Sequence, residues 1–386
     1  MEFLKHIHIK KFFQNKELKH FYITVMLINF GIALISIFVP IYLYKIGYPI
    51  YQIALFYALT AIYFVVLAYP SSKIISQLGI KHSILIATPF IILFFLGLNF
   101  IEKFPLLFFI IPLFDALNKI FYWNGYHLFF FLHSDKKKRG REMSIIQIIS
   151  FLSMAIAPFI GGLIAKETTT LLFSIGSLFV LIGVFPLFLT KENYCPKKFN
   201  FKKFIKDFFS KKEKRDILSF SGYATESIIE RTIWPIFLII ILGTYEKTGA
   251  IVSITTFLSV IGLYFSGKLS DKYNKRKLVK LWTGIHAISW IGRIFSNNAL
   301  KITIVDSYKK ITNKFLHIPW ITQIYKLANK RDYFEFILFE HIVFYSIRAL
   351  LLPLIALIFY LDFYPFIISF SIAAIASLLY PFINKK

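Results

Sequence analysis

Long apolar runs separated by short basic ones make up most of the chain. Twelve apolar stretches can be drawn, at about 20–44, 50–72, 80–101, 104–132, 142–166, 169–190, 217–243, 248–268, 277–297, 299–327, 333–360 and 363–383. Each is near the roughly 20 residues that a helix needs to cross the hydrocarbon core of a bilayer. A backbone in lipid must satisfy its own hydrogen bonds, so each run predicts a helix. The alternative, a closed barrel, needs short segments that alternate polar and apolar residues, and the chain has none.

Composition supports that reading. Of 386 residues, 57% are hydrophobic and 17% charged, Phe alone numbers 46, and the mean hydropathy is +0.65. Soluble domains run at roughly 45–50% apolar and about 25% charged, and disorder needs low hydrophobicity. Both are excluded, which leaves an all-α polytopic membrane protein with twelve transmembrane helices.

The formal charge of +25, from 45 basic and 20 acidic residues, would suggest nucleic acid in a soluble protein. In a membrane protein, basic residues gather in cytoplasmic loops, so no nucleic-acid partner is expected. With the N-terminus inside, the cytoplasmic segments and the helix ends beside them hold 33 Lys and Arg, and the opposite loops with their helix ends hold 5. That bias predicts both termini in the cytoplasm and a place in the cytoplasmic (plasma) membrane. The first apolar run follows Lys5, Lys10, Lys11, Lys16 and Lys19 without a small-residue cleavage site, so it is expected to be a retained span. Cys195 stands alone, so no disulfide framework can form.

The longest polar segment divides the chain. The expected organisation is a cytoplasmic segment at 1–19, a six-helix bundle at 20–190, a basic cytoplasmic loop at 191–216 and a second six-helix bundle at 217–386. Within the loop, Phe201, Phe204, Ile205 and Phe208 recur at helical spacing with lysines between them. They form either a basic amphipathic helix on the anionic inner leaflet or a solvated linker. Sliding the sequence by 195 residues aligns Pro40 with Pro235, Lys73 with Lys268, Gly97 with Gly292 and Pro158 with Pro353. At an offset of 191, Asp115 meets Asp306 and Lys119 meets Lys310. Two related halves follow.

Residues 267–277 read GKLSDKYNKRK. This resembles the loop motif of the major facilitator superfamily, G-x-x-x-D-[RK]-x-G-[RK]-[RK]-[RK], with Asn274 at the family's glycine, where Asn tolerates a left-handed turn. The equivalent first loop, SKIISQLGIKH at 72–82, keeps only Gly79 and Lys81 of the pattern, and APFIGG at 157–162 is similar to the end of the family's antiporter motif. The resemblance implies two parallel six-helix halves and secondary active transport of a small molecule by alternating access. It implies a cavity lined by spans 1, 4, 7 and 10, no cofactor, and a monomer in the bilayer. Gly267, Asp271, Lys272 and Arg276, with Gly79 and Lys81, then belong to conformational-gating loops.

A charge at mid-bilayer costs about 2.5–3.5 kcal/mol on insertion scales, so charges kept inside spans are candidate site residues. Asp115, Lys119, Tyr122 and Tyr126 share one face of span 4, and Asp306, Lys310, Lys314 and His317 share one face of span 10. These stripes either present matched pairs to a substrate cavity or form local salt bridges. Trp234 joins the cavity set as a ring that could stack on a substrate, as could Trp123, His127 and Trp320. Glu226 and Glu230 in span 7 are proton-coupling candidates; their alternative is ion pairing with Arg231 or a span 10 lysine. Arg293 is expected to snorkel to the surface. Six in-span cations (Lys119, Arg231, Lys309, Lys310, Lys314, Arg348) face five anions (Asp115, Glu226, Glu230, Asp306, Glu340). Span 10 carries the excess, which points to an anionic substrate.

No glycine-rich phosphate loop, metal-spaced His/Cys cluster or catalytic constellation is visible; His6 and His8 alternate on a tail. The expectation is a transporter and not an enzyme, with no metal. The alternatives are a non-transporting membrane sensor or scaffold of the same fold, and a lipid flippase. Because Cys195 is the sole cysteine, topology is testable without mutation. In intact cells it should resist an impermeant maleimide and react after permeabilisation; labelling from outside would reverse the assigned orientation.

Overall fold

The computed structural model of the chain describes residues 16–133, 139–191, 201–211, 213–329 and 333–383. Most of the 1–19 segment and part of the 191–216 loop, Cys195 included, lie outside them. The described residues contain no strand. The helices are α1 (Lys16–Ile35), α2 (Phe38–Lys45), α3 (Ile50–Leu78), α4 (Ile80–Leu98), α5 (Leu107–His133), α6 (Arg139–Glu167), α7 (Thr169–Phe188), α8 (Phe201–Phe208), α9 (Lys214–Leu242), α10 (Tyr245–Lys272), α11 (Lys275–Ile294), α12 (Ala299–Asn329), α13 (Tyr333–Tyr360) and α14 (Pro365–Ser377). A 3₁₀ turn follows at Tyr380–Phe382. All twelve apolar stretches fall on helix. Among the described residues, seven of these stretches, within α1–α2, α3, α4, α7, α10, α13 and α14, are long and apolar enough to cross a membrane. Charged and polar residues interrupt the apolar runs of α5, α9, α11 and α12, which keeps those helices out of that set.

Local chemistry sets the helix ends. The first apolar stretch is broken between Ile35 and Phe38. Pro40 has no N–H for the Ser36 carbonyl, and its ring crowds that carbonyl. Between α3 and α4, Gly79 takes φ 93° and ψ 169°, a region essentially closed to other residues. The equivalent junction between α10 and α11 is built differently. Asn274 has φ −64° and ψ 115°, and its side chain accepts the Arg276 N–H at 3.0 Å. The expected left-handed turn is therefore absent: Asn274 is an extended N-cap, a position that favours Asn.

In the first half of the chain α1 packs on α6 and α7, α3 on α5, and α4 on α5 and α7. In the second half α9 packs on α13 and α14, α10 on α12, and α11 on α12 and α14. Each pair has its counterpart under the repeat. The aligned glycines show it in detail, for a Cβ on Gly97 would meet Ile111 of α5 at 3.1 Å, and one on Gly292 would meet Val305 of α12 at 3.3 Å. Across the seam between the halves, α3 runs along α13 and α6 along α10, while α2 touches α9. Phe64 stacks on Tyr345 with ring centroids 3.7 Å apart. The Phe159 N–H donates to Ser253 Oγ at 2.8 Å, and Lys166 pairs with Glu246 at 3.3 Å.

The short helix α8 lies partly on the protein. Phe204 and Phe208 pack against Phe339 of α13, with centroids 5.9 and 6.2 Å away, and Ile205, Phe209, Lys202 and Lys206 are exposed. Part of the apolar stripe that suggested a leaflet helix is thus spent on α13. The Phe201 side chain lies outside the described residues.

Gly249 of α10 sits so close to α6 that an added Cβ would land on the Pro158 carbonyl oxygen. Gly249→Ala should therefore lower the thermal midpoint of the detergent-solubilised protein, at a cost of about 1–3 kcal/mol typical of overpacking. Gly284→Ala in α11, which meets nothing within 4 Å, should raise it by the helix preference of Ala, about 1 kcal/mol. Equal shifts for the two would show that α6 and α10 do not meet at this point.

Candidate functional site

The second half of the chain buries a continuous network of charge. Glu226 and Glu230 stand one turn apart on α9 and face α11 and α12. Glu226 takes His286 Nε2 at 2.8 Å and Lys309 Nζ at 3.4 Å on one oxygen, and accepts the Tyr380 hydroxyl at 2.6 Å on the other. His286 meets Thr312 Oγ1 through Nδ1 at 3.0 Å. Glu230 takes Lys309 at 3.0 Å and both terminal nitrogens of Arg293. Arg293 reaches on to Asp306 at 2.6 Å, and Asp306 also accepts from Thr255 at 2.6 Å and pairs with Lys310 at 3.1 Å. Lys310 donates to Thr255 and Thr256 at 2.7 and 2.9 Å. The Arg293 guanidinium lies over the rings of Trp234 at 3.7 Å and Trp290 at 4.5 Å.

Three expectations change here. Arg293 does not snorkel: it is 0% exposed and is the bridge between Glu230 and Asp306. Glu226 and Glu230 pair with a span 10 lysine, Lys309, which was one of the alternatives, but also with His286 and Arg293, while Arg231 takes part in no ion pair among the described residues. The apparent cation excess of span 10 is largely cancelled, because Lys309 is matched by the α9 carboxylates and Lys310 by Asp306. Arg293, Lys309 and Lys310 balance Glu226, Glu230 and Asp306. A buried charge is tolerated only when paired and hydrogen-bonded, and this network meets that condition from four helices.

The two predicted stripes do not join. On α5, Lys119 pairs with Asp115 at 2.5 Å, and Tyr122 and Tyr126 are buried and stacked, with centroids 6.1 Å apart. On α12, Asp306 and Lys310 belong to the network, whereas Lys314 lies over the Phe151 ring at 3.7 Å and His317 packs near Tyr223 and Trp320. No hydrogen bond or ion pair among the described residues links one stripe to the other. Trp234 is buried under Arg293, which occupies its face. In the gating loops, Lys81 donates to the carbonyls of Thr190 and Phe188 at 2.7 and 3.3 Å, at the end of α7. Gly267 is half-buried, Lys272 lies over Tyr273 at 5.5 Å, and the Arg276 amide is capped by Asn274. The Asp271 side chain lies outside the described residues.

A second polar region lies in the seam. Arg231 is exposed although α9 from Ser219 to Ile239 is otherwise buried or half-buried. Pro235 follows it by four residues and cannot donate to its carbonyl, as Pro40 fails to donate to Ser36 at the equivalent point of the first half. The charges of Arg231 and Asp115 both act on the Tyr57 hydroxyl of α3, and that of Arg231 acts on Arg348 of α13. Arg348 donates to Ser227 of α9 at 2.9 Å. Glu340 is buried two turns before Arg348 and forms no hydrogen bond or ion pair among the described residues. Tyr57, Thr255, His286 and Tyr380 were not among the expected site residues. Each is an ordinary residue of an apolar run, and nothing but three-dimensional contact distinguishes it.

Apolar helices of membrane-spanning length, with most of their internal charge paired, define a multi-pass integral membrane protein. Residues 121–305 match the Major Facilitator Superfamily, and residues 5–175 match the MFS_1 like family. The two matches overlap and together run from 5 to 305. The chain belongs to the major facilitator superfamily, a family of membrane transporters of small molecules rather than of enzymes. No curated protein matches it.

If the network is held by charge balance, Arg293→Gln should cost about 3–5 kcal/mol, because it leaves buried carboxylates underpaired. Adding Asp306→Asn restores the balance and should recover part of that loss. A double-mutant cycle on thermal unfolding reads the coupling. Simple additivity of the two changes would remove the network as a unit of stability.

Proposed function

We propose that the protein is a secondary transporter that moves a small molecule across the cytoplasmic membrane by alternating access. In this reading the twelve helical stretches form two six-helix bundles, residues 20–190 and 217–386, that rock about the seam as a monomer, with both termini in the cytoplasm. The substrate's own gradient or an ion gradient drives flux. The observation that carries the proposal is Arg231: a charged side chain left open in the middle of an otherwise enclosed α9, facing α3 and α13 of opposite halves. A polar opening between two related halves is what a midplane site requires.

The α9 carboxylates remain the candidates for proton coupling, and their surroundings separate them. Glu226 is closed in by His286, Tyr380 and Lys309. Glu230 is partly exposed next to Arg231, so it is the better placed to exchange a proton with the opening. The loop at 267–277 and its degraded partner at 72–82 would bias the two states through the ends of α10 and α3.

Spin labels test the motion without a known substrate. In a Cys195→Ser background, one cysteine pair replaces Lys166 and Glu246, which touch across the seam at one end. A second replaces Leu78 and Lys326, exposed near the other ends of α3 and α12. Distance distributions in proteoliposomes should show two populations at each end, shifting in opposite senses when a cell metabolite extract is added. One narrow distribution at both ends, unmoved by the extract, would leave a rigid scaffold and refute transport by rocking.

A further inference from the structure

Arg231 and Arg348, like Lys314 over the Phe151 ring, differ from the paired cations inside the helices. Arg293, Lys309, Lys310 and Lys119 each touch a carboxylate. Arg231 and Arg348 touch none among the described residues. Arg348 is 6% exposed, its guanidinium lies 4.8 Å from the Tyr345 ring, and one nitrogen donates to Ser227. Its Nε has no hydrogen-bond partner although it is buried. Arg231 lies one turn beyond Ser227 on α9 and makes no hydrogen bond among the described residues. The two guanidiniums act on each other as like charges. The acids that approach them are already engaged, Asp115 by Lys119 and Glu230 by Arg293 and Lys309.

A guanidinium cannot relieve burial by losing its proton. Two of them on either side of Ser227, one with a free donor and the other exposed, have no counter-charge among the described residues. We propose that this counter-charge is the substrate, a small organic anion whose carboxylate or phosphate oxygens bridge Arg231 and Arg348. Planar guanidinium forks match such oxyanions in paired hydrogen bonds. Tyr57 and the Tyr345–Phe64 stack stand beside the two arginines and can cover the rest of a small ligand. This assignment rests on the transport reading and names the substrate class of the same seam.

The test uses the purified full-length protein, with succinate as the carboxylate probe, inorganic phosphate as the phosphate probe and glucose as the neutral control. One or both anions should raise the thermal midpoint saturably, and glucose should not. Arg231→Gln and Arg348→Gln should each weaken that binding by roughly 10- to 100-fold, the value of a charge-assisted hydrogen bond. Lys301→Gln, at an exposed helix start, should leave it unchanged. Without ligand, Arg231→Gln should melt above the parent protein, because it removes one of two unpaired like charges; this readout confirms that the variant is folded. A response to succinate alone assigns a carboxylate, and to phosphate alone a phosphate. No saturable shift with either anion, or an equal shift in both arginine variants, overturns the proposal. If the spin-label distances still show two states in that case, transport survives and the anion site does not. Anion binding to a protein with one rigid state would instead keep the site and remove transport.

Discussion

An arginine that water cannot reach must be paired, because it has no neutral form to retreat to. Arg293 imposes that constraint on the second half of this protein. Its planar fork needs acceptors on two sides, so Glu230 and Asp306 must come together from α9 and α12, and two tryptophans cover its faces. Two carboxylates drawn to one arginine would then be in excess of it. Lys309 and Lys310 make up the difference and in turn recruit Glu226, Thr255 and Thr256. The relative placement of α9, α10, α11 and α12 follows from the closure of these pairs as much as from apolar packing, which in lipid offers little preference for one neighbour over another.

The first half shows the same scaffold with much less of this chemistry. Asp115 and Lys119 keep the pair, but the repeat offset of 195 sets Leu98 at the counterpart of Arg293 and Gly31 and Ile35 at those of Glu226 and Glu230. Thr255 donates to Asp306, whereas its counterpart Thr60 has a buried hydroxyl without a hydrogen-bond partner. One half is therefore cross-linked by charge through its middle, and the other is held mainly by packing. Arg231 and Arg348, which touch no carboxylate among the described residues, belong to the cross-linked half, and Arg231 acts across the seam on Tyr57.

Apolar periodicity and the positive-inside bias made the helices legible, because lipid leaves a chain few other options. The break between α1 and α2 follows from Pro40 once the helix is placed. The charge partners were not legible to the same degree. Spacing along a helix identifies which residues share a face, and so finds the pairs Asp115–Lys119 and Asp306–Lys310. It carries no information about the residue that faces them from another helix. Arg293 illustrates the limit, for its position near the end of an apolar run argued for snorkelling, and only the carboxylates of α9 and α12 explain why it turns inward. Asn274 was misread for a related reason: the motif position suggested a turn conformation, while the local need was for an N-cap.

If the halves rock as proposed, the joint between α1 and α2 bears on how one end of the seam comes apart. Ser36 and Ile37 belong to neither helix, and α2, 8 residues long, touches α9 across the seam. Rotation about these two residues would swing α2 as a short flap and leave α1 seated on α6 and α7. Parting at that end would then spare α1, but must still separate α6 from α10, which meet there through Lys166 and Glu246. In the second half the equivalent proline lies within an unbroken α9, so the flap has no twin, and any opening there must carry the charged core with it.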